Sequence, residues 1–273
     1  MSRRAPLLER MTGHLLHALD HARLSDDLTA RGGFLQALDP RVKLGGLLGL
    51  AVTVTAVHRL TALAGLFLAA VLLALASRLP VGRALGPLWL GILIFSGAIA
   101  LPAPLLTPGD VVAHLPLTGW PITAQGLRSA AFLIGRAETA ATFTTLLILT
   151  TPWPHVLKAM RALGVPVVVV AIFGMTHRYI FLFLQAAAQM FEARRSRMVG
   201  RLTPREGRRL AVATAGALLG RAIETGNEVH LAMISRGYRG EPRLMQDFPT
   251  RPRDWAALAG AGSLAALALF GGA

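Results

Sequence analysis

PVVVVAIFGMTHRYIFLFLQAAAQMFEARRSRM (166–198) and TPREGRRLAVATAGALLGRAIETGNEVHLAMISRG (203–237) are the stretches that decide how this chain folds. After Pro166 and Pro204 neither contains another proline, so each reads as one unbroken helix of roughly 50 Å at about 1.5 Å per residue. Thr203, Pro204 and Glu206 supply a cap hydroxyl, a proline at the first helical position and a glutamate at the third, the pattern of a strong helix start. Gly200 and Gly237 are the expected stops. Each helix then ends in an arginine-centred triplet, Ser196-Arg197-Met198 and Ser235-Arg236-Gly237, where a cation also favours the helix dipole.

Composition sets the surroundings of these helices. Apolar residues make up 53% of the 273 and charged residues 15%, with a mean hydropathy of +0.54. That places the chain among all-α integral membrane proteins. Cysteine is absent, which removes disulfides and thiolate metal sites. The net charge of +14 sits in the gaps between apolar runs, which marks a cytoplasmic membrane face and not a nucleic-acid surface.

Read outward from the two helices, the chain divides into four parts. Residues 1–43 form a basic, amphipathic cytoplasmic lead-in with scattered acids and no long apolar core, so they read as a retained segment and not as a cleaved signal. His14, His17 and His21 share a helical face there, a spacing that suits either a metal ion or a solvated polar surface. Residues 44–151 carry four transmembrane helices. The run Leu44 to Ala76 is too long for one span and reads as two, joined at His58-Arg59. Gly45, Gly46 and Gly49 mark a face for close helix approach. A third span follows at about 85–101, then a proline-broken outer loop free of Lys and Arg, then a fourth span at 127–151. Arg136 and Glu138 lie within that fourth span, as an intramembrane polar pair or as a helix-contact pair.

Residues 152–253 read as cytoplasmic or interfacial, beginning with a short basic amphipathic helix over 152–164. Hydropathy alone would make 165–185 another span. However, 13 of the 28 Lys/Arg lie between 188 and 253, and a crossing would export them against the positive-inside rule. The stretch 166–198 therefore reads as a helix lying along the inner side. Residues 254–273 form a C-terminal span anchored by Arg251, Arg253 and Trp255. The expectation is about five spans with the amino end in the cytoplasm of a bacterial inner membrane.

Familiar catalytic devices are missing from the sequence. The only lysines are Lys43 and Lys158, and neither follows a phosphate-binding glycine loop. There is no HExxH or GxSxG, and Glu224 and Glu228 stand without a partner cluster. Neither catalytic residues, a cofactor nor a metal site is expected. Arginine's planar fork suits bidentate contact with a partner protein's carboxylates, or else neutralisation of lipid headgroups.

LDPRVKL (38–44), LTTPWPHVLKAMRALGVP (149–166), RYIFLF (178–183), EARRSRMVG (192–200) and AMISRGYRG (232–240) occur in an order that resembles the transmembrane T component of energy-coupling factor transporters. The CbiQ type, of cobalt or nickel uptake, is the nearest likeness. The resemblance implies a non-enzymatic subunit whose 152–253 region is a cytoplasmic coupling domain. Two arginine triplets would dock into two cytoplasmic ATPase subunits of CbiO type. Those contacts correspond to Ser196, Arg197, Met198, Ser235, Arg236 and Gly237, with Arg194, Arg195 and Arg239 as secondary ones. Both triplets carry Ser where the family has Ala, and the first carries Met where it has Gly. A CbiM-like substrate-binding membrane subunit, with a small CbiN-like one, and membrane lipid complete the implied partners; nucleic acid is not among them. A self-sufficient carrier or channel, with Arg136 and Glu138 on its pathway, is the rival reading.

Overall fold

The computed structural model describes residues 32–114, 121–197, 203–238 and 251–270. They divide between two compact units, one drawn from Leu28–Ala162 and Phe248–Ala273, the other from Leu163–Asp247. The three histidines of the lead-in, Met198, Gly200 and Arg239 lie outside the described residues, as does the side chain of Arg195.

The first unit begins with α1 (Pro40–Ala56), whose start is set by the Asp39 carboxylate accepting from the Arg41 amide at 2.8 Å and by proline at the first position. The chain turns extended at Val57 and Arg59, and α2 (Leu60–Ala76) follows. The break thus falls at His58-Arg59, where the polar interruption of the apolar run predicts it. A short α3 (Val81–Ala84) leads into α4 (Gly86–Ala100). Beyond it a one-turn α5 (Ala103–Leu106) and a two-stranded antiparallel ribbon, β1 (Val111–His114) with β2 (Pro121–Thr123), occupy the region expected to be loop. That ribbon is the small exception to an otherwise helical chain. Thr123 then caps α6 (Ala124–Thr150) by accepting from the Gly126 amide. The amphipathic α7 (Trp153–Ala162) and, after the second unit, α10 (Pro252–Phe270) complete this body.

Helix α6 is the axis of the first unit, with α1, α2, α4 and α5 packed on it, while α10 and α7 pack on α1. Leu44, Leu47, Leu50 and Val54 recur at helical spacing on one face of α1 and are buried with Leu63 and Leu66 of α2 and Phe143, Leu146 and Leu147 of α6. Gly135 lets α2 come close, for a Cβ there would lie 2.7 Å from Leu63 Cδ2. Gly46 of the predicted small-residue face meets Ala261 of α10. The buried Thr139, Thr142 and Thr150 each donate to the carbonyl four residues earlier, so α6 carries hydroxyls inside without leaving them unbonded.

The charges of the 38–44 motif turn inward. Asp39, Lys43 and Asp254 are buried with exposures of 6%, 3% and 3%. One oxygen of Asp254 accepts from the Asp39 amide at 2.9 Å and the other from the Arg251 amide at 2.7 Å. Lys43 Nζ donates to the Thr150 carbonyl at 3.0 Å. A single polar knot thereby ties the start of α1 to the end of α6 and to the start of α10.

The second unit holds α8 (Val167–Arg197) and α9 (Pro204–Ser235), joined across six intervening residues of sequence. Both predicted long helices are present. Among the described residues, two stretches are long and apolar enough to cross a membrane, Ala124–Thr150 and Val167–Arg194.

Candidate functional site

The start of α9 carries the predicted reciprocal cap. Thr203 Oγ1 accepts from the Glu206 amide at 3.3 Å, and the Glu206 carboxylate accepts from the Thr203 amide and hydroxyl, each at 2.8 Å. Those donors hold the Glu206 carboxyl below its usual range. At its other end α9 closes in a Schellman turn. The Gly237 amide donates to Ile234 at 2.9 Å and the Tyr238 amide to Met233 at 3.0 Å, with Gly237 at φ +76°. The glycine of the second triplet is therefore the backbone stop. It leaves Arg236 as the last exposed side chain of the helix.

The two triplets share a local device. Ser196 Oγ donates to the Ala193 carbonyl and Ser235 Oγ to the Ala232 carbonyl, both at 2.9 Å and both three residues back. Each hydroxyl is folded onto its own helix. The serine therefore presents little more than alanine's bulk beside the arginine, which accounts for its standing where the resembled family has alanine. Arg194, Ser196 and Arg197 are exposed like Arg236.

The end of α9 meets the first half of α8, and this separates the two tips. Arg236 shares a pocket of about 340 Å³ with Met175, Arg178, Tyr179, Val229, Ala232 and Met233. Arg197 lies 19 residues beyond Arg178 along α8, about 28 Å at the helical rise. The structure brings Arg236 beside Arg178 and keeps Arg197 far from both. The seam of Met175, Tyr179, Val229 and Met233 also borders a larger apolar trough of about 770 Å³ between the same helices, with Ile172, Ile180 and Phe183 on its wall.

Arg136 and Glu138 are not joined. Two positions apart on α6, they project to different sides. Arg136 Nη2 donates to the Val57 carbonyl at 2.6 Å, so it bonds the final carbonyl at the α1–α2 break, and its guanidinium lies 5.3 Å from the Phe132 ring centroid. Glu138 Oε2 is buried without a hydrogen-bond partner among the described residues. Among those residues no group of three or more His, Asp or Glu side chains could hold a metal ion. At the inner knot, His155 of α7 is pushed down by burial and by Lys43 and Lys158.

Two stretches long and apolar enough to cross a membrane, with two long helices ending in exposed arginines, are the features of a helical membrane protein. The comparisons agree. The chain matches the family described as CbiQ, cobalt transport protein, over residues 32–246. It is 34% identical over 239 residues to an uncharacterised protein, MJ1571, of Methanocaldococcus jannaschii, covering 86% of this chain and 82% of that one. It is 32% identical over 161 residues to the cobalt transport protein CbiQ of Rhodobacter capsulatus, covering 58% and 64%. This chain belongs to the CbiQ family of membrane transport proteins.

Proposed function

We propose that this chain is the energy-coupling membrane subunit of an energy-coupling-factor importer for cobalt or nickel ions. The observation that carries the reading is the pair of exposed arginines, Arg197 and Arg236, each at the end of a long helix and set apart because Arg236 lies beside Arg178. Two separated tips fit two cytoplasmic ATPase subunits. ATP binding and hydrolysis would move those subunits as rigid bodies, and the tips would carry the motion into α8 and α9 and on to a separate substrate-binding membrane subunit. The arginines transmit force and do no chemistry. The chain itself crosses the membrane five times, through α1, α2, α4, α6 and α10, with its amino end inside. Helix α8, although long enough to cross, is interrupted by His177-Arg178 and followed by the densest basic region of the chain, so it lies along the inner face.

The test is co-purification from detergent-solubilised membranes. Wild type is expected to bring down the ATPase subunits and the Arg197→Glu, Arg236→Glu double variant to lose them while keeping its melting temperature. A wild-type chain that purifies alone and transports cobalt in liposomes without ATP would overturn the assignment.

A further inference from the structure

We infer that Arg178 and Arg236 together form one carboxylate-binding site, so that the docking point at the end of α9 is a two-arginine clamp and not a single arginine. The inference rests on the ATPase-docking reading and deepens it, by naming a second residue and the chemistry of the partner group. Three observations carry it.

Arg178 stands in the first half of α8 and Arg236 at the end of α9, 58 positions apart in sequence, yet both line the same pocket of about 340 Å³. The remaining lining is Met175, Tyr179, Val229, Ala232 and Met233, with no acidic side chain among them. Two like charges flanking one concavity are disfavoured unless an anion enters between them.

The backbone also fixes both side chains to rigid supports. Arg178 is within a continuous helix, and Arg236 is held at the end of one by the Gly237 turn. A planar carboxylate entering between them accepts from two guanidinium forks at once. The pocket commits to an acidic side chain, Asp or Glu, of one ATPase subunit.

The experiment measures binding of the purified ATPase subunit to the full-length chain in nanodiscs of neutral lipid. The variants are Arg178→Ala, Arg236→Ala, Arg197→Ala and the two doubles that contain Arg178→Ala. Arg178→Ala is expected to weaken association about tenfold, the scale of one charge-assisted contact. Because Arg178 and Arg236 share a ligand, their double variant is expected to lose clearly less than the product of the two single losses. Arg178 and Arg197, about 28 Å apart along α8, are expected to multiply. Arg178→Lys keeps the charge and the fold, and is expected to recover only part of the loss.

Wild-type affinity in Arg178→Ala, or simple multiplication with Arg236→Ala, would overturn the clamp while leaving the docking role of Arg236 intact. Failure of wild type to bind any ATPase subunit would overturn both readings. If anionic lipid in the nanodiscs displaces the ATPase subunit from wild type but not from Arg178→Ala, the pocket is a headgroup site and the inference fails.

Discussion

Gly237 shows how much a single residue sets at the α9 tip. Its φ of +76° is one that side chains with a Cβ resist, yet a Cβ built there meets nothing within 4 Å. Substitution therefore costs only the backbone term. Gly237→Ala is expected to destabilise the local turn by about 1 kcal/mol and to displace Arg236, so association with an ATPase subunit should fall while thermal melting barely changes. Lys43 makes a second case. Its buried ammonium donates to the Thr150 carbonyl. Lys43→Met leaves that carbonyl without its donor and is expected to cost about 1–3 kcal/mol. Tryptophan-fluorescence melting of both proteins checks it, and equal melting temperatures would contradict the account.

At the scale of elements, the helices were legible because their ends are chemical. Pro166, Pro204, Thr203 with Glu206, and Gly237 each act through a local hydrogen bond or a fixed φ, and α8 and α9 begin or end within a residue or two of where those signals stand. The expected break at His58-Arg59 is likewise present. What was illegible is tertiary. The burial of Asp39 and Lys43 depends on Asp254, 215 positions after Asp39, and the meeting of Arg178 with Arg236 depends on how two helices register. Neither leaves a periodic trace in sequence. The ribbon at 111–123 was read as loop because its strands are only four and three residues long. Thr203→Ala is expected to cost the α9 start about 1 kcal/mol, seen as faster amide exchange confined to the first turn. Uniform exchange along α9 would show that the cap does not govern it.

For the whole molecule, the absence of cysteine provides a clean background for mapping which side of the membrane each region faces. With a membrane-impermeant maleimide on intact cells, Asp110→Cys is expected to label directly. Ser196→Cys and Arg221→Cys are expected to label only after permeabilisation. External labelling at 196 would make α8 a crossing helix and overturn the proposed topology. The separation of the two arginine tips has a mechanical consequence in the proposed coupling role. A beam carried at two points translates when both supports move and pivots when only one does. With one ATPase subunit idle, the proposed stroke would become a seesaw, and the importer so proposed would act as a coincidence detector for two working engines.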